Sequence, residues 1–263
     1  MSSIISDMDP DTAQLILPEL LMLGGIIAMI LVPNLGDATM RIPLTRTRIP
    51  ILIGGTRFTT TNNPKLPNQI ATTALALAFL TSLLFLGEEG EVGNSLHVDE
   101  FSRMFTLVFT AALVLASLAT TARLPARPGA SAPLDTDSTA RSDGKVNALI
   151  DNRRQVDFHI LLLTTGLGMS LMAMATNLFM LFVCLELASL SSYILVAFHK
   201  EADVGGEAGT KYFIVGSVVS AVGIYGMSLL YLWNGSLDMA DLATSWDAME
   251  TMDPFAAIGV GLM

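Results

Sequence analysis

Glu186 is the residue best placed to do chemistry. It stands nine positions after Asn177 in the apolar run Leu178–Phe198. In a helix rising 1.5 Å per residue that is about 13 Å, close to the midplane of a ~30 Å hydrocarbon layer. An acid at that depth costs about 2.5–3.5 kcal/mol on insertion scales, and more without a partner. Burial disfavours the ionised form of a carboxyl, which suits a group that takes up and releases a proton. The alternative is a structural carboxyl hydrogen-bonded between helices, with Ser189, Ser191 and Ser192 as candidate partners.

Lys211 is the second candidate. It lies near one end of the apolar run Tyr212–Trp233, where a lysine snorkels to the interface along its own stem. Glu207, four residues earlier, is spaced to pair with it on a helix, and an acid also suits a helix N-terminus. Glu19 follows Pro18 close enough to a membrane surface to be read as structural. Gly216, Ser220, Gly223 and Gly226 put small residues along one side of a helix, the pattern of a packing face.

Other chemistry is excluded by its missing parts. Cys184 is the sole cysteine, so it makes no internal disulfide and holds no iron–sulfur cluster; it reads as a small buried hydrophobe. His97, His159 and His199 match no metal-ligand spacing. There is no phosphate-binding Gly loop, nucleophile elbow or dinucleotide fingerprint. No cofactor is expected on this chain, and no redox or hydrolytic chemistry of its own.

The elements that position these residues are membrane spans. The 263 residues are 52% hydrophobic and only 14% charged, where a soluble domain carries about 25% charged residues. The sequence predicts one all-α domain over 1–263, a polytopic bundle with spans near 13–32, 70–86, 101–119, 158–175, 178–198 and 212–233. The stretch from Phe158 to Phe198 would be about 60 Å long as one helix, so it divides, with a tight turn at Thr176-Asn177. A seventh helix opens at Pro254, a favoured first helical residue. Its nine following residues, Phe255 to Met263, cover about 14 Å, and the sequence reads as interrupted there.

Charge sets the expected orientation. With the N-terminus outside, segments 33–69, 120–157 and 199–211 face inward and hold 13 of the 14 Lys and Arg residues. Arg103 is the exception, and its spacing from Asp99 suggests a pair. The leader holds Asp7, Asp9 and Asp11 without a basic residue, so the first run reads as a retained span rather than a secretory signal. The outer segments are acidic and the net charge is −10, which points to an exterior bathed in salt and a halophilic prokaryote. Segments 33–69 and 120–157, rich in Pro, Ser, Thr, Gly and Asp, read as flexible cytoplasmic loops.

The run Leu185-Glu186-Leu187-Ala188-Ser189-Leu190-Ser191-Ser192-Tyr193-Ile194-Leu195-Val196-Ala197 resembles the fifth helix of an antiporter-like membrane subunit, most closely subunit N of NADH–quinone oxidoreductase (respiratory complex I). The likeness resumes at Glu207-Ala208-Gly209-Thr210-Lys211-Tyr212-Phe213 and continues through Ile224 to Tyr231. Leu17-Pro18-Glu19-Leu20-Leu21 is similar to that subunit's start. The motif-dense match runs from about Phe158 to Gly235.

The resemblance implies a proton-translocating subunit of a complex in a prokaryotic cytoplasmic membrane. NADH and quinone would be used elsewhere in the assembly, and other membrane subunits would be partners. It gives Glu186 the role of the fifth-helix glutamate, which pairs in the family with a lysine on a broken seventh helix. Lys211 matches a sixth-helix lysine that relays charge. Family members have about fourteen helices in two inverted repeats, so a second polypeptide is expected to supply the helices this sequence lacks. The rival readings are a subunit of a sodium/proton antiporter and a non-catalytic membrane scaffold.

Overall fold

The computed structural model describes residues 10–31, 39–41, 48–50, 66–120, 138–198 and 203–263. Its helices are α1 (Pro10–Leu15), α2 (Leu17–Leu31), α3 (Leu66–Leu84), α4 (Glu100–Ala119), α5 (Ser138–Ala173), α6 (Leu178–Val196), α7 (Asp203–Asn234), α8 (Met239–Asp247) and α9 (Pro254–Leu262). Two antiparallel hairpins complete it. Strands β1 (Thr39–Arg41) and β2 (Arg48–Pro50) pair with Met40 opposite Ile49. Strands β3 (Gly90–Val92) and β4 (Leu96–Val98) pair with Glu91 opposite His97.

Among the described residues, five helices are long and apolar enough to cross a membrane: α3, α4, the 154–173 part of α5, α6, and α7 from Val204. Six full spans were expected, and the first differs. The helix breaks at Ile16, leaving α2 with 15 residues, because Pro18 has no N–H to give to the preceding turn. A second difference concerns segment 120–157, expected as a flexible loop throughout. Helix α5 already begins at Ser138. Hydropathy marks where a helix enters hydrocarbon, not where it starts, and residues 138–157 form a polar helical extension. Likewise α7 starts at Asp203, so Lys211 lies two turns inside a helix rather than at its threshold.

The turn at Thr176-Asn177 is as the sequence predicts. Asn177 caps α6, its side chain accepting from Phe179 N at 2.9 Å. The turn also binds its surroundings: Thr176 N donates to Ser95 O (3.0 Å), His97 N to Met174 O (2.7 Å), and Leu178 N to Leu237 O (2.9 Å). These bonds tie the β3–β4 hairpin and the α7–α8 loop to one end of the bundle, called here the hairpin end. Pro254 opens α9 behind an Asp253 cap.

Helices α2, α3, α4 and α5 surround one apolar core that includes Met22, Leu75, Leu113, Leu163 and Leu167. Small residues let the backbones approach, as bundles in lipid require. A Cβ on Gly25 would sit 2.7 Å from Ala74 Cβ, and one on Gly168 would sit 2.7 Å from the Ala188 backbone nitrogen. The α5–α6 contact is therefore made through Gly168, against Cys184 and Ala188. Helix α7 packs outside α6, and α9 packs on α7.

Candidate functional site

The small-residue face of α7 is what brings the site together. Helices α6 and α7 run antiparallel, and three positions of that face meet three positions of α6. Gly216 lies against Tyr193, Ser220 against Glu186, and Gly223 against Phe182. Beyond them Gly226 meets Gly259 and Leu262 of α9. A Cβ at Gly216 would fall 2.1 Å from Tyr193 Oη, so the ring occupies space that only glycine leaves open.

Glu186 is half-buried on α6, and the Ser220 hydroxyl donates to its Oε1 across the helix pair. None of the serines expected as partners takes this role. Ser191 and Ser192 donate instead to Leu187 O and Ala188 O of their own helix, both at 2.9 Å, the usual way a helical serine satisfies itself. Ser220 is the residue sequence reasoning placed only in a packing face. Its signal was a hydroxyl within a glycine stripe that has to face a neighbouring helix.

Lys211 is not brought to Glu186. It makes an i,i+4 ion pair with Glu207, both side chains largely exposed (73% and 64%). Lys211 and Ser220 are nine residues apart on α7, about 13 Å of helical rise. Between their levels Tyr193 meets Tyr212 edge-on, with ring centroids 4.6 Å apart. Among the described residues no basic side chain makes an ion pair with Glu186, and no group of three or more His, Cys, Asp or Glu is arranged to hold a metal.

Glu19 and Arg103 are both buried, at 3% and 0% exposure. The Asp99–Arg103 pair expected from spacing does not form. Asp99 caps α4, accepting from Ser102 N at 2.7 Å. Arg103 turns into the bundle and donates from Nη2 to Leu15 O at 2.5 Å, a carbonyl next to the helix break at Ile16. At the opposite end of the core, His159 is 1% exposed. Its Nδ1 donates to Gln155 O (2.7 Å), which leaves Nε2 to accept from Asn68 Nδ2 (3.2 Å). Asn68 also reaches Ser117 O at 2.9 Å.

The described residues form a polytopic helical bundle with a serine-bonded carboxyl midway along one span. A family model described as NADH:quinone oxidoreductase/Mrp antiporter, TM, matches residues 175–263. Its relatives include NADH–quinone oxidoreductase subunit N proteins, and the chain is similar to part of that subunit. The subunit N of Gluconacetobacter diazotrophicus is 41% identical over 107 residues, 41% of this chain and 22% of the relative. That of Beijerinckia indica subsp. indica is 28% identical over 231 residues, 87% of this chain and 38% of the relative.

Two solved structures share the fold. Respiratory complex I from Thermus thermophilus matches 93% of this chain and 42% of its counterpart, with a TM-score of 0.60 and 22% identity. The membrane-bound sulfane sulfur reductase, an archaeal respiratory membrane complex, matches 95% and 42%, with a TM-score of 0.64 and 20% identity. The chain thus spans less than half the length of these relatives and structures. It is a multi-pass membrane protein.

Proposed function

We propose that the chain forms part of a proton-translocating membrane subunit of a complex I-like NAD(P)H–quinone oxidoreductase, with Glu186 as the carboxyl that takes up and releases protons. The observation that carries the reading is the placement of Glu186. It sits midway along a span, with one oxygen bonded to Ser220 of the neighbouring helix and no ion-pair partner among the described residues. A neutral hydroxyl holds the carboxyl in place without neutralising it, so its charge stays available to a movable proton or cation.

Lys211 serves as a relay from the far end of α7, and its pair with Glu207 is the resting arrangement. The basic residues of segments 33–69, 120–157 and 199–211 support an outside N-terminus in a prokaryotic cytoplasmic membrane. Partners are the other membrane subunits of the assembly. Quinone and NADH, or another reduced donor, act elsewhere in that complex.

The test is purification of the tagged chain in mild detergent from its own host, with mass spectrometry of the eluate. Iron–sulfur and quinone-site subunits are expected alongside it. An eluate of multi-span proteins alone would favour the sodium/proton antiporter, which the description of the family model also covers.

A further inference from the structure

The four-helix core has polar layers at both ends, and they differ in one respect. At the His159 end, Asn68, Thr72, Ser117, Thr120 and His159 bond one another. At the hairpin end, both carboxylate oxygens of Glu19, Nε and Nη1 of Arg103, Thr106 Oγ1 and Ser170 Oγ are buried with no partner in hydrogen-bond geometry. The two charges attract each other without a direct hydrogen bond.

The hydroxyls carry the argument further. Ser82, Thr110, Thr164 and Thr165 donate to the carbonyl four residues back in their own helices, at 2.7–2.9 Å. Thr106 and Ser170 do not, so their donors stay free. They lie on α4 and α5, which pack against each other, and α5 also packs on α2. Gly166 fixes the level of Ser170: a Cβ there would lie 3.5 Å from Met22 Sδ. Ser170 is one turn beyond Gly166, and Glu19 is one turn beyond Met22 in the same direction. A carboxylate, a guanidinium and two free hydroxyls thus line the same half of the core. Burying both charges unbonded is far costlier than hydrating them, and one small molecule offers both donors and acceptors to such a set.

We propose that Glu19, Arg103, Thr106 and Ser170 enclose an internal hydration site, in which ordered water bridges the Glu19 carboxylate to the Arg103 guanidinium. Arg103 Nη2 at the same time holds Leu15 O. The site therefore fastens the α1–α2 break to the start of α4.

Radiolytic hydroxyl labelling of the chain in lipid nanodiscs, in ¹⁸O-labelled water, tests this directly. Met22 is one turn from Glu19, and Met29 lies two turns deeper on α2; they are 0% and 1% exposed, so bulk solvent reaches neither. Met22 is expected to take up ¹⁸O several-fold faster than Met29. In a Thr106→Val/Ser170→Ala chain the two rates should converge. Equal slow rates in the native chain overturn the proposal without any variant, as does a fast Met22 rate that the double substitution leaves unchanged.

Discussion

The hydroxyl of Ser220 on α7 donates to Oε1 of Glu186 on α6, joining the two helices at the level of the one carboxyl midway along α6. Ser220 lies between Gly216 and Gly223, whose small size lets α7 approach closely enough for the bond. A hydrogen bond to a charged group contributes about 1.5–3 kcal/mol. Ser220→Ala should therefore slow proton translocation by no more than about 10- to 150-fold while leaving the assembly intact. The rate of proton uptake by inverted vesicles, normalised to the amount of assembled complex, checks this.

Gly216 and Gly168 both sit at close helix contacts, but what they touch differs. A Cβ at Gly216 meets the far end of the Tyr193 ring, whereas one at Gly168 meets the backbone of Ala188. Overpacking of this kind costs about 1–3 kcal/mol, and a side chain yields more readily than a backbone. Gly168→Ala is expected to lower the unfolding temperature in detergent more than Gly216→Ala. Adding Tyr193→Leu should restore much of the Gly216→Ala loss and none of the Gly168→Ala loss.

His159 and Asn68 satisfy each other in the core. His159→Leu leaves an amide without one of its acceptors, and a buried unsatisfied polar group costs about 1–3 kcal/mol. Adding Asn68→Leu should recover part of that loss, because removing both partners is cheaper than removing one. Thermal unfolding of the two single variants and the double variant gives the coupling.

Lys211 and Glu207 form an exposed pair, a kind worth about 0–1 kcal/mol. Lys211→Met should therefore leave stability within about 1 kcal/mol of native. Any fall in proton translocation then reports the relay and not the fold. Lys211→Arg, which keeps the charge, should retain most of the rate.

Spans α3 to α7, the turn at Asn177 and the start of α9 were legible in the sequence because apolar runs, a capping Asn and an N1 proline each have a local cause. The break at Ile16 was less so, since Pro18 near a helix start is compatible with an unbroken helix. The start of α5 at Ser138 was hidden because its polar extension has no apolar face to read. At the site, Glu186 was visible from its depth alone. Its partner was not, because three nearer serines competed with Ser220 and only the α6–α7 register decides among them. Arg103 was misassigned for a related reason. Spacing within α4 favoured Asp99, while the carbonyl it bonds belongs to Leu15, 88 residues away.

The central claim rests on one carboxyl. Glu186→Gln keeps the shape and still accepts from Ser220, but it cannot ionise. In inverted vesicles carrying the assembled complex, proton translocation per electron transferred should fall by about a hundredfold or more, the scale of a lost proton-transfer group. Translocation within twofold of native, with the glutamine in place and the complex intact, would contradict the assignment of Glu186 to the proton path.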